Sequence, residues 1–134
     1  MLQKLGGYTM LKEGMTLTLE KTVKENETAA KVASGALEVF STPMLIAFME
    51  HTSFELAQRE MEAGDTTVGV SVNIKHLKAN LIGDTLKCIS KLEKIDGKKL
   101  DFSVKVFHGE TLVGEGEHGR FIVNEEKFLS KLKG

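Results

Sequence analysis

The sequence contains a single cysteine, Cys88, which excludes an intrachain disulfide and any metal site built from paired cysteines. A reducing, cytoplasmic location is therefore expected. No apolar run approaches the roughly 20 residues that a membrane-spanning helix needs, and the first residues lack the apolar stretch of a secretory signal. We therefore expect no association with a membrane.

Neither sign of charge is in large excess. The formal net charge is -1, and acidic and basic residues alternate along the chain. This balance argues against the strongly basic surface that is typical of nucleic-acid binding. No cluster of potential ligands has the spacing of a metal site, so neither a metal nor another cofactor is expected.

Proline occurs once, and its position predicts the start of a helix. Pro43 follows Thr42, a pair typical of an N-cap threonine with proline in the first helical position. The helix is predicted to run from Thr42 to about Ala63, where Gly64 and Asp65 end it. Its first turns (MLIAFM) are apolar on every side, which is typical of a buried helix.

Six strand-like segments surround this helix in the sequence. They cover residues 17–23, 28–33, 67–78, 84–95, 99–107 and 110–123. Asp96-Gly97 and His108-Gly109 lie between neighbouring segments and favour tight hairpin turns. This order predicts an α+β fold in which a curved antiparallel sheet wraps around one long central helix. A chain of 134 residues suits a single domain of this kind.

Two titratable residues occupy positions predicted to face the core. Glu50 shares a helical stripe with apolar residues, namely Ala47, Phe54, Ala57 and Met61. His76 continues the alternating apolar face of its strand, formed by Val68, Val70, Val72 and Ile74. Either residue alone has an ordinary structural explanation. Together with the hydroxyl of Thr42 they form a candidate site, because a buried carboxylate needs a partner.

Three stretches resemble the fluoroacetyl-CoA thioesterase family of hot-dog proteins: VFSTPMLIAFMEHTSFELA, VGVSVNIKHLKAN and GEGEHGRFIVNEEKF. The resemblance covers a single domain over residues 10–134 and leaves residues 1–9 as an N-terminal extension. The family's threonine before the central helix, its glutamate eight residues later and its strand histidine match Thr42, Glu50 and His76.

Three further positions match the same family. Its glycine before the strand histidine corresponds to Gly69, which also suits a bulge in the strand. Its late histidine and arginine correspond to His118 and Arg120. These two would contact the thioester or the phosphates of coenzyme A, or else they are a surface histidine and a structural ion pair.

The resemblance implies a hot-dog fold, a homodimer, and hydrolysis of an acyl-CoA thioester to free acid and coenzyme A. Glu50 would attack the carbonyl or act as base for a water, and the sequence leaves both routes open. His76 would carry the proton, and Thr42 would orient the reacting groups. A non-catalytic acyl-CoA-binding module and a hot-dog hydratase or dehydratase remain alternatives.

The segment before the helix departs from the family. In the fluoroacetyl enzymes this segment is longer and carries phenylalanines that form a lid over the acyl pocket, whereas residues 25–40 have none before Phe40. A short- or medium-chain acyl-CoA is therefore the expected substrate. The acyl pocket is predicted to be lined by Val39, Phe40, Met44 and Phe48.

Overall fold

The computed structural model describes residues 10–134, so the predicted extension over residues 1–9 lies outside it. Five strands form one antiparallel sheet with the order β1-β3-β4-β5-β2. The strands are β1 (Thr16–Thr22), β2 (Asp65–His76), β3 (Thr85–Asp96), β4 (Lys99–His108) and β5 (Thr111–Asn124). The helices are α1 (Thr42–Gln58), α2 (Glu125–Lys133) and a short 3₁₀ turn (Glu25–Glu27).

Helix α1 packs against all five strands, which confirms the predicted sheet around one helix. Its sheet-facing side chains join two apolar clusters with residues of β3, β4 and β5. The fully buried members include Leu45, Met49, Ala57, Leu86, Cys88, Leu92, Leu100, Val104, Val106 and Val113. Burial of such side chains is the main favourable contribution to folding.

The first turns of α1 are less enclosed than predicted. A single sheet covers one side of a helix, so Leu45, Phe48 and Met49 are buried, whereas Met44, Ile46 and Ala47 remain half-buried. These three apolar side chains are only partly covered in the described chain.

The ends of α1 also differ from the prediction. Ser41 is the N-cap and its Oγ accepts the Met44 N–H at 3.3 Å, so Thr42 is already the first helical residue. Serine caps a helix as well as threonine does, and the pattern alone could not separate the two. The predicted end at Ala63 was too late, because the Gln58 amide donates to the Asp65 carbonyl at 3.0 Å and the chain turns there.

The predicted strand over residues 28–33 is absent. These residues form turns in a segment, 28–41, that folds back on itself. Ala29 N–H donates to the Val39 carbonyl at 2.8 Å, and Ala30 N–H donates to the Leu37 carbonyl at 3.0 Å. Backbone groups satisfied within the segment are not available for a sheet ladder, so the described sheet has five strands and not six.

A bulge in β2 makes the predicted face of this strand wrong. Gly69 pairs with Arg120 and Ser71 with Gly119, so Val70 is one residue in excess. Such a residue shifts the alternation by one position. Val68 therefore lies on the face opposite to His76, and Val70 and Val72 are 53% and 40% exposed. His76 still faces the helix side of the sheet.

The two predicted hairpin turns are present. Gly97 and Gly109 stand in the β3–β4 and β4–β5 turns, each with a φ of 61°, a conformation that favours glycine. Asn124 caps α2, which has acidic residues in its first turn and lysines in its last. Within residues 10–134, no helix is long and apolar enough to cross a membrane.

Replacing Leu45 with alanine tests the packing of α1 against the sheet. Leu45 is fully buried, whereas Leu132 on α2 is 71% exposed. Leu45→Ala is expected to lower the free energy of unfolding by about 2–5 kcal/mol, because it leaves a cavity. Leu132→Ala, the matched control, should change it by less than about 0.5 kcal/mol. Urea unfolding measures both, and equal effects would contradict the described core.

Candidate active site

Three polar side chains converge where Gly69 has no side chain of its own. A Cβ placed on Gly69 would lie 2.9 Å from Glu50 Oε2, 3.3 Å from His118 Cε1 and 3.4 Å from Arg120 Nη1. Glu50 reaches this point from α1, while His118 and Arg120 reach it from β5. Gly69 thus leaves the space in which a carboxylate, an imidazole and a guanidinium meet, and it also precedes the bulge residue.

Arg120 is buried and held on several sides. Its Nε–H donates to Thr67 Oγ1 at 2.7 Å, and Nη2 donates to the Thr67 carbonyl at 2.9 Å. The guanidinium carbon lies 5.6 Å from the centre of the Phe54 ring, a cation–π distance. Burial lowers the pKa of Arg120 and the charge of Glu50 opposes this, but arginine remains protonated in proteins.

The contacts of His118 define its tautomer. Nδ1 lies 2.8 Å from the Ser71 carbonyl oxygen, which accepts hydrogen bonds only, so Nδ1 carries the proton. Nε2 then accepts a hydrogen bond from Arg120 Nη1 at 3.1 Å. Burial is the largest cause that lowers the pKa of His118, and the charge of Arg120 lowers it further. His118 is therefore a neutral imidazole that contacts Arg120.

A second pair lies at the start of α1. Thr42 Oγ1 and His76 Nδ1 are 2.8 Å apart, so the hydroxyl and the ring share a hydrogen bond. Burial lowers the pKa of His76, and a backbone contact at Lys78 opposes this shift. Nε2 of His76 is buried and has no hydrogen-bond partner within the described chain. A neutral imidazole with a free ring nitrogen is suited to accept a proton.

The structure brings the predicted residues together in two groups. One contains Thr42 and His76, and the other contains Glu50, Gly69, His118 and Arg120. Thr42 and Glu50 are eight residues apart on one helix, which corresponds to about 12 Å along its axis. The two groups are therefore too far apart for direct hydrogen bonds between them within one protomer.

The predicted acyl-pocket residues are divided between two cavities. Val39 and Phe40 line a cavity of about 270 Å³ that also contains Thr42 and His76. Met44 and Phe48 line a different and more apolar cavity of about 390 Å³ on the β1 side of α1. Of these two cavities, the first is the one that Thr42 and His76 line.

Sequence reasoning missed Thr67, Ser71 and Phe54, which contact Arg120 or His118. Only Thr67 could have been found from the sequence, because alternation along the strand places it on the same face as Gly69. The contact of Ser71 depends on the bulge at Val70. Gly69 had suggested a bulge in this strand, and the register of β2 confirms it, but the sequence did not indicate that the bulge brings Ser71 to His118. Among residues 10–134, no group of three or more His, Cys, Asp or Glu side chains is arranged to hold a metal ion.

Comparison with solved structures defines the class of this fold. The fluoroacetyl-CoA thioesterase FlK superposes with a TM-score of 0.86 at 24% identity, over 92% of this chain and 96% of that one. A thioesterase superfamily member from Thermus thermophilus superposes with a TM-score of 0.83 at 22% identity, over 91% of this chain and 90% of that one. The molecule is a hot-dog thioesterase fold.

Sequence comparison gives the family. The model of the family "FlK: Fluoroacetyl-CoA-specific thioesterase" matches residues 23–126. The fluoroacetyl-CoA thioesterase of Streptantibioticus cattleyicolor is 27% identical over 96 residues, which cover 72% of this chain and 69% of that protein. The chain belongs to this family and is an acyl-CoA thioesterase, as the sequence motifs predicted.

The lowered pKa values of His76 and His118 predict how stability depends on pH. Both histidines ordinarily titrate at 6.5, and burial disfavours their charged forms in the folded state. The unfolded chain then binds more protons, so the free energy of unfolding should fall as pH drops below about 6.5 and be unaffected above it.

His118→Gln should weaken the fall in the free energy of unfolding at low pH. The control, His51→Gln, changes an exposed histidine and should preserve that fall. Urea unfolding at several pH values between about 5 and 8 measures the effect. The same pH dependence in wild type and in His118→Gln would contradict the description of a buried neutral imidazole.

Proposed function

We propose that the chain hydrolyses short- or medium-chain acyl-CoA thioesters with Glu50 at the reaction centre. The observation that supports this most is the meeting of Glu50, His118 and Arg120 at Gly69. The buried guanidinium of Arg120 supplies positive charge at the point where the carboxylate or a deprotonated water would attack. Gly69 leaves room for a thioester carbonyl to approach that carboxylate.

The proposed reaction transfers the acyl group from sulfur to oxygen. Either the Glu50 carboxylate or a water that it deprotonates forms the new C–O bond, and both routes remain open. The C–S bond then breaks, and the departing coenzyme A thiolate takes up a proton. On the covalent route a water then cleaves the anhydride between Glu50 and the acyl group, which releases the acid and restores the carboxylate. His76, which burial keeps neutral, accepts and returns a proton, and Thr42 fixes its ring through the 2.8 Å hydrogen bond.

A second copy of the chain is part of this proposal. Thr42 and Glu50 are about 12 Å apart along α1, which is too far for one carbonyl to contact both groups of a protomer. Strand β2 lies at the edge of the sheet and exposes Val70 and Val72. Antiparallel pairing of two β2 strands would reverse the second copy, so that its His76 approaches Gly69 of the first. The proposed enzyme is therefore a homodimer with shared sites.

The proposed acyl group is a general short or medium chain. The cavity beside Thr42 and His76 has small lining residues, including Ala29, Ser34 and Ala79. Among residues 10–134, Phe40 is the only aromatic ring in its lining apart from His76. This differs from the phenylalanine lid expected in fluoroacetyl enzymes. The preference of the named relatives for fluoroacetyl-CoA therefore need not extend to this chain.

We also place the enzyme in the cytoplasm. Its one cysteine, Cys88, is fully buried in the apolar core, and burial raises the pKa of the thiol to about 11. A thiol in this state is unreactive, as suits a chain that forms no disulfide.

Release of free thiol from acetyl- through decanoyl-CoA and from fluoroacetyl-CoA tests the role of Glu50. Glu50→Gln is expected to lower kcat at least about 100-fold at an unchanged melting temperature, because it removes the nucleophile or base. Glu55→Gln, on the same helix, is the control and should retain wild-type rates. Wild-type turnover in Glu50→Gln would rule out the role, and no thiol release by wild type would favour a binding module.

Mixing two inactive variants tests whether the site is shared between copies. Glu50→Gln and His76→Ala should each be inactive alone. A mixed dimer would contain one site with both Glu50 and His76 intact, so mixing after mild dissociation should restore activity. No recovery, with mixed dimers demonstrated by mass spectrometry, would place both residues of a site in one chain.

A further inference from the structure

Arg120 has five N–H donors, and three of them are held by Thr67 and His118. Thr67 supplies two of these contacts, the hydroxyl to Nε and the backbone carbonyl to Nη2. The nitrogen that faces the site is Nη1, which lies 3.4 Å from the position that a Cβ on Gly69 would occupy. Glu50 Oε2 is the atom nearest to that position, at 2.9 Å. Thr67 thus holds the side of the guanidinium formed by Nε and Nη2, whereas Nη1 lies close to Gly69.

The bulge in β2 adds a second support. The extra residue, Val70, brings the Ser71 carbonyl to His118 Nδ1, and this contact leaves Nε2 as an acceptor. Nε2 accepts from Nη1, the nitrogen that lies 3.4 Å from the Cβ position of Gly69. The guanidinium is therefore fixed from β2 at Thr67 and from β5 at His118, and Phe54 of α1 covers its face.

We propose that Thr67 is a positioning residue for the thioesterase reaction, which orients Arg120 so that Nη1 faces the Glu50 carboxylate. The inference rests on the proposed role of Glu50. Thr67 is itself buried, 4% exposed, and acts through the arginine. Removing the hydroxyl leaves the backbone contact to Nη2, so the guanidinium gains freedom to pivot away from Glu50.

Arg120 and His118 on β5 interact electrostatically with Glu50, and Lys99 on β4 acts on His118. The adjoining residue of β2 is Gly69, which carries no charge. A guanidinium that turns away from Glu50 removes positive charge from the reaction centre, so the rate of the reaction should fall.

Two variants of Thr67 separate the hydroxyl from the shape of the side chain. Thr67→Val is nearly isosteric and lacks the hydroxyl, while Thr67→Ser retains it. We expect Thr67→Val to lower kcat about tenfold with KM nearly unchanged, because one hydrogen bond to a charged group is lost. Thr67→Ser should keep the wild-type kcat and KM. Equal losses in both variants, or no loss in Thr67→Val, would overturn the proposal.

The arginine side chains give a readout that does not require activity. Arg59 and Arg120 are the two arginines of the sequence, and Arg59 is exposed. Nitrogen-edited NMR should show one slowly exchanging Nε–H, from Arg120, in wild type and Thr67→Ser but not in Thr67→Val. If Thr67→Val fails to fold, Thr67→Ala takes its place in both measurements.

The two readouts distinguish the possible failures. An Arg120 Nε–H that exchanges as fast as that of Arg59 in the wild type overturns the positioning role, whatever the activity. A protected Nε–H in a wild type that releases no thiol would leave the Thr67 contact intact and refute the thioesterase proposal, and with it the positioning role for that reaction.

Discussion

Helix α1 approaches the sheet closely at Gly114, and this contact determines where Thr42 and Glu50 lie. A Cβ on Gly114 would lie 2.8 Å from Leu45 Cδ2 and 3.0 Å from the Lys75 carbonyl, so only glycine permits this packing without displacement. Leu45 lies between Thr42 and Glu50 on the helix. Because the helix is rigid, the distance between Leu45 and the sheet also determines how far Thr42 and Glu50 lie from β2 and β5.

Much of the fold follows from local patterns in the sequence. Pro43 located the start of α1 to within one residue, and Gly97 and Gly109 located the two hairpin turns. These features depend on the backbone conformations that proline and glycine allow, so they can be predicted from the residue type alone. The alternation of apolar residues in β3 and β4 likewise agrees with their buried faces.

The remainder depends on interactions between distant residues. The strand predicted at residues 28–33 failed because hydrogen bonds to Val39 and Leu37 satisfy its backbone within the segment. The face of β2 was mispredicted because Val70 forms a bulge, and apolar alternation does not reveal an extra residue. The site was recognised through Glu50 and His76, yet their separation along α1 and the Thr67 contact to Arg120 are properties of the folded chain.

The exposed edge of β2 has a consequence for how the chain behaves in the cell. Residues 66–74 contain no charged side chain, and Val70 and Val72 are open to solvent in a single copy. An edge strand of this kind is a template for any other strand, and natural proteins usually protect it with charges or with a partner. Pairing of this edge with another strand becomes more frequent as the concentration of the chain rises, so the amount of chain that stays dissolved depends on whether the edge is covered.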